Sequence, residues 1–146
     1  MEFIRVALIG SGFMGKAHSL ALSAIPILFP DVPLKPLKYV VVDVTEELAR
    51  KAAENYGFEK WSTDWQSVVE DPAVGLVDIV TPNFLHKPIA IAAARQGKHI
   101  FCEKPLSLNA GESREICEEV LKAQVKHGMG FHYRKVPAIA CAKQLV

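Results

Sequence analysis

A long apolar run, an excess of charge and a cysteine framework are all missing from this sequence, and each lack argues against a class of protein. No apolar run approaches the ~18 residues of a helical span. The first residues, MEFIRVALIG, have neither the basic start nor the long apolar stretch of a signal peptide. A cytoplasmic protein without membrane contact is expected. The 17 basic residues against 16 acidic ones leave a net charge of +1, which is not the basic excess of a nucleic-acid binder. The three cysteines, Cys102, Cys117 and Cys141, form no C-x-x-C pair and read as buried, reduced thiols. No set of His, Cys, Asp and Glu has metal-ligand spacing, so no metal is expected. What is present is apolar bulk. Half of the 146 residues are hydrophobic, enough for one domain with its own core.

Apolar runs of strand length alternate with segments of helical character. Phe3 to Ile9 ends at Gly10 and reads as a buried strand, followed by a helix from Phe13 to about Ala24. Prolines at positions 26, 30, 33 and 36 predict a surface loop. Strands are expected at 38–43, 59–61, 76–80, 98–102 and 128–133. Helices are expected after Thr45, after the Thr63-x-x-Gln66 capping box, from about Pro88 to Gln96, after the Asn109-x-x-Glu112 box to about Lys126, and from Pro137. In the helix after Asn109, Ile116, Val120, Leu121 and Gln124 should share one face, and Glu118 should pair with Lys122 on the exterior. This alternation predicts an α/β fold, a Rossmann-type doubly wound parallel sheet of strand order 3-2-1-4-5-6.

GSGFMGKAH, residues 10–18, can be read as G-x-G-x-x-G or as G-x-x-x-x-G-K. The second pattern, a P-loop, needs a Ser or Thr after the lysine to hold magnesium, and position 17 is Ala17. The first pattern has its full context: a strand before it, a helix after it, and Asp43 closing the next strand. Gly10 makes the turn, Gly12 lets the backbone approach a pyrophosphate, and Gly15 lets helix and sheet pack closely. The diphosphate then lies on the helix N-terminus, with Phe13 and Met14 alongside. Asp43 is placed to accept from the adenosine ribose hydroxyls. It comes later than the usual ~20 residues after the glycines, and the proline-rich loop accounts for the difference. A carboxylate there repels the 2′-phosphate of NADP, so NAD is the expected cofactor and NADP the less favoured one.

Three further stretches fall at the ends of strands: TPNFLH at 81–86, EKP at 103–105 and FHYR at 131–134. Taken in order with the glycine loop, they resemble the N-terminal domain of the glucose–fructose oxidoreductase, inositol dehydrogenase and rhizopine-catabolism (Gfo/Idh/MocA) family, over essentially the whole chain. The resemblance implies that Thr81, Pro82, Asn83 and His86 line the ribose and nicotinamide end of the cofactor. It implies that Lys104 lies beside the nicotinamide, where it orients and deprotonates a substrate hydroxyl. An ammonium desolvated next to a positive ring releases its proton more readily, which suits that task. Glu103 either bonds the cofactor or holds the loop, and Pro105 is a candidate for a cis peptide. His132 departs from the asparagine of many relatives; it reaches the cofactor pocket or packs in the core. His18, His99 and His127 read as ordinary surface or helix residues.

The activity implied is that of an NAD(P)-dependent oxidoreductase acting on a CH–OH group of a sugar, inositol or related polyol. The alternative is a non-catalytic dinucleotide-sensing regulator of the same fold. Lys104 favours the enzyme, since a sensor has no use for a proton acceptor. Residues 1–136 are expected to form the dinucleotide-binding domain, and 137–146 to begin a helix leading to a substrate domain in a homo-oligomeric full-length protein. On that reading this fragment binds cofactor without turning over substrate.

Overall fold

The computed structural model describes residues 2–145. Six parallel strands form one sheet: β1 (Glu2–Ile9), β2 (Leu34–Val42), β3 (Lys60–Ser62), β4 (Leu76–Ile79), β5 (His99–Cys102) and β6 (His127–Met129). Their order is β3-β2-β1-β4-β5-β6, the doubly wound arrangement expected from the alternation of elements. The helices are α1 (Phe13–Leu28), α2 (Glu46–Tyr56), α3 (Trp65–Glu70), α4 (His86–Arg95), α5 (Ala110–Ala123) and α6 (Pro137–Leu145).

The sheet has two different faces. On one, Val6, Leu8 and Val41 pack with Leu22 of α1 and with Ala52, Ala53 and Phe58 in and just beyond α2. On the other, Ile9, Val42, Val77, Ile79 and Ile100 pack with Val69, Ile89, Ala93, Ile116 and Val120 of α3, α4 and α5. The central strands are therefore apolar on both sides, and Val6 to Ile9 are buried without interruption. On the α1 side, β4, β5 and β6 border an open apolar groove lined by Met14, Ile25, Leu76, Phe101 and Met129.

Several boundaries differ from the sequence reading, each for a physical reason. Helix α1 continues through Pro26 to Leu28. Near a helix end proline removes one hydrogen bond, and the Phe29 amide still donates to the Ile25 carbonyl at 2.9 Å. Strand β2 starts earlier, at Leu34, and contains Pro36. Its β3 partner spans only Val40–Val42, so Pro36 lies on an edge where its missing N–H costs no ladder bond. Asp64, not Thr63, caps α3, accepting from the Gln66 and Ser67 amides at 2.9 and 3.3 Å. Helix α4 starts at His86 after a 3-10 turn at Asn83–Leu85, and Pro88 falls in its first turn, where an N–H has no intrahelical partner. Gln124 adopts a left-handed conformation and closes α5. On α5, Leu121 is exposed, and Lys122 lies 4.0 Å from Glu119 rather than beside Glu118. Strand β6 stops at Met129 because β5 ends at Cys102, and the chain then turns through His132–Lys135. Of the three thiols only Cys102 is buried; Cys117 and Cys141 are exposed.

Candidate functional site

The glycine loop connects the end of β1 to α1. Gly10 has φ 103°, and a Cβ there would come within 3.0 Å of the Val80 carbonyl oxygen. A Cβ on Gly15 would collide with the Gly10 carbonyl oxygen. These two glycines thus bring α1 hard against the ends of β1 and β4. Gly12 differs: a Cβ there would meet nothing within 4 Å. Gly12 is the N-cap of α1 and has no side chain to satisfy the first-turn amides, and that turn holds no acidic residue. Free N–H groups and the positive end of the helix dipole face open space.

Asp43 follows β2 and lies against this loop. Its Oδ2 accepts from the Ser11 amide at 2.9 Å and from the Ser11 hydroxyl, while Oδ1 accepts from the Val44 amide at 2.7 Å. The Tyr56 hydroxyl donates to the Ser11 carbonyl at 2.9 Å. The carboxylate is thereby fixed beside the glycine turn. Ser11 and Tyr56 carry this arrangement and were not singled out from the sequence, because neither belongs to the spacing pattern.

The ends of β4 and β5 complete the same edge. Thr81 lies beside Gly10, and its Oγ1 is buried with no hydrogen-bond partner among the described residues. A buried hydroxyl without a partner is costly, so this atom fits a polar ligand in the cleft. Pro82 is exposed, and Asn83 is half-buried at the start of the 3-10 turn. His86 is 1% exposed, with ring nitrogens 2.8 Å from the Pro105 carbonyl oxygen and 2.9 Å from the Thr81 carbonyl oxygen. Instead of opening onto the cleft, it lies beneath and ties the T-P-N turn to the E-K-P turn. The Lys104–Pro105 peptide is cis. Lys104 is exposed, whereas Glu103 is buried and accepts from the Lys104 amide at 3.1 Å.

Phe13 is exposed and Met14 half-buried on the first turn of α1. His132 is not drawn to the edge formed by the glycine loop and Asp43. It is exposed, stacks on Tyr133 with ring centroids 4.3 Å apart, and borders the groove on the α1 side of β4–β6.

His18 is the residue whose expected role changes most. It is not an ordinary helix residue: Nδ1 lies 2.9 Å from Asp78 Oδ1, Nε2 lies 3.3 Å from Glu103 Oε1, and its side chain is 13% exposed. Burial opposes charge on the imidazole, but the two carboxylates outweigh it and hold the group above its ordinary value. Burial also pushes the Asp78 carboxyl up, against the pull of His18. On the opposite face of the sheet the Cys102 thiol, desolvated and within the field of both acids, is pushed up to about 12. The available sequence signal was Asp78 itself, an acid in the otherwise apolar strand LVDIV.

Among the described residues no helix is long and apolar enough to cross a membrane, and no group of three His, Cys, Asp or Glu could hold a metal ion. Residues 4–131 match the family model described as oxidoreductase family, NAD-binding Rossmann fold. The chain is 47% identical over 146 residues to levoglucosan dehydrogenase of Pseudarthrobacter phenanthrenivorans, covering 100% of this chain and 37% of that protein. It is 38% identical over 143 residues to scyllo-inositol 2-dehydrogenase (NAD(+)) of Bacillus subtilis, covering 98% of this chain and 40% of the other. The solved complex of levoglucosan dehydrogenase with NADH and levoglucosan superposes with a TM-score of 0.93 at 48% identity, over 98% of this chain and 39% of that one. The chain thus spans about two fifths of the length of the relatives it matches.

Proposed function

Since the chain belongs to this oxidoreductase family, whose matching domain is an NAD-binding Rossmann fold, we propose that it is the cofactor domain of a dehydrogenase acting on a sugar or polyol hydroxyl. One observation carries the reading: a bare helix N-terminus at Gly12, the Asp43 carboxylate and the unpartnered Thr81 hydroxyl all meet along one edge of the sheet. An NAD dinucleotide fits those three features in turn. The first-turn amides of α1 hold its pyrophosphate, Asp43 accepts from its adenosine ribose, and Thr81 satisfies its hydroxyl against it. Phe13, Met14, Pro82 and Asn83 flank this path, and His86 supports it from below. The cofactor supplies the hydride acceptor. Lys104, exposed at the end of β5, is the residue here that takes a proton from the substrate hydroxyl, while Glu103 and Pro105 hold its backbone.

Residues 137–146 are read as the lead into the segment that holds substrate, and the relatives' greater length supports that division. A cytoplasmic location and a homo-oligomer at full length belong to the same proposal. The relatives' names favour substrates such as an anhydrosugar or an inositol, and Lys104 favours catalysis over sensing alone.

Calorimetric titration with NAD, NADP and ATP–magnesium tests the cofactor assignment. NAD should bind most tightly, and Asp43→Ala should weaken NAD more than NADP; equal losses would remove Asp43 from the specificity argument. For catalysis, this chain can replace the matching 146 residues of levoglucosan dehydrogenase. In that chimera Lys104→Ala should lower kcat by about 100-fold or more with NAD affinity nearly kept. Unchanged turnover would refute the proton-transfer role.

A further inference from the structure

Neither His18 nor Asp78 has a part in the proposed proton transfer, yet with buried Glu103, which holds the Lys104 backbone, they form a charged cluster inside the fold. His18 lies one helical turn beyond Gly15 on α1, so it moves with the helix whose N-terminus faces the cofactor cleft. Asp78 lies on β4 in register with Phe101 of β5, and Glu103 follows β5 directly. Both acids are on the α1 side of the sheet and nearly inaccessible, at 4% and 7% exposure. Glu103 has its second oxygen on the Lys104 amide at 3.1 Å. A Cβ on Gly130 would run into the Glu103 carboxylate, so the chain after β6 is shaped to leave this acid its place.

We propose that His18 is a positioning residue: through its two ring nitrogens it joins Asp78 to Glu103 and so locks the E-K-P turn to the helix of the glycine loop. The inference rests on the cofactor reading for its consequence, but the bridge itself does not. Two buried carboxylates repel each other, and a cation between them removes the repulsion. If the imidazole loses its proton, Glu103 keeps a buried charge with no cation bonded to it. The repulsion between the two acids is then no longer offset, and a displacement of the Glu103 side chain moves the Lys104 amide that it holds. Other titratable groups around the cluster are Cys102 on the far side of β5, and His99, Lys126, His127, His132 and Lys135 on the groove rim. None of these is hydrogen-bonded to the side chains of the three residues.

The test is an NMR titration of the 146-residue chain labelled with nitrogen-15, from pH 5.5 to 9, alongside fluorescence titrations with NADH over the same range. The His18 ring should titrate above the ordinary 6.5, and the Lys104 amide should shift with the same midpoint. NADH should weaken several-fold through that midpoint. In His18→Gln, checked for folding by circular dichroism, affinity should be low and independent of pH. A His18 midpoint at or below 6.5, or a Lys104 amide indifferent to it, overturns the proposal, and wild-type protein alone decides both. NADH affinity that stays flat through the His18 midpoint overturns it too. If NADH binds at no pH, the cofactor reading fails, and the bridge still stands or falls on the Lys104 amide.

Discussion

Gly12 and Gly15 are three residues apart in one motif, yet space around them is opposite. A side chain at Gly12 would enter open volume, while one at Gly15 would strike the Gly10 carbonyl. Gly12→Val should therefore leave the folded state nearly intact and abolish NAD binding, because the valine fills the approach to the helix N-terminus. Gly15→Ala should destabilise the fold by about 1–3 kcal/mol, the range for forcing extra atoms into a packed contact. Urea unfolding and NAD titration of both variants separate the two effects; a Gly12→Val chain that binds NAD as wild type does would end the pyrophosphate assignment. The motif's spacing announced that three glycines were needed. It also gave Gly12 to the ligand and Gly15 to close packing; what it did not supply is the contact behind that division, the Gly10 carbonyl and Val80 standing over Gly15 in the folded turn. His18 was still less legible, because its partners are 60 and 85 residues away in sequence.

Among the elements, those with chemical punctuation at their ends were the easiest to read. Thr45 opens α2 as expected, its hydroxyl accepting from the Leu48 amide at 3.3 Å, and Gly57 closes it at φ 74°. Asn109 opens α5, accepting from the Glu112 amide at 3.0 Å, and Glu112 accepts in return from the Leu108 amide at 3.1 Å. These two bonds start the helix that carries Ile116 and Val120 into the core beneath β5. Asn109→Ala should cost about 1 kcal/mol of stability, read as a lower denaturation midpoint with an unchanged slope. A shift smaller than error would mean that packing alone sets the helix start. Proline was the misleading signal. At Pro26 and Pro36 its cost depended on how near the helix end lay and on which neighbouring strand was present, and local sequence states neither. The same holds for Thr63 and Asp64, adjacent residues that are both good caps; the backbone geometry selects the second.

At the scale of the whole molecule, the doubly wound sheet places Asp78, Glu103 and Cys102 around β4 and β5, on its two sides, and this arrangement makes stability depend on pH. His18 binds its proton more tightly in the folded chain than in the unfolded one. Its contribution is thus complete below about 6.5, the unfolded value, and is lost as pH rises through the folded value. Cys102 continues the trend. An unfolded thiol ionises near 9.0, whereas the buried one holds its proton to about 12. Between those values the native state carries the extra proton, and stability should fall with a slope approaching about 1.4 kcal/mol per pH unit. Asp78, also raised, acts in the same direction at acid pH, where Glu119, lowered by its bond to Arg95, acts in the opposite one. On the alkaline side the shifted groups, exposed Lys60 and Lys87 included, all act in one direction, so that is the side to measure. Denaturant unfolding at pH 6, 8 and 10 should show stability decreasing in two stages. His18→Gln should flatten the first stage and Cys102→Ala the second, even though each variant is less stable at pH 6. A wild-type chain equally stable at pH 6 and 10 would mean that the sheet's interior opens to water far more than the packing of Val77, Ile79 and Cys102 allows.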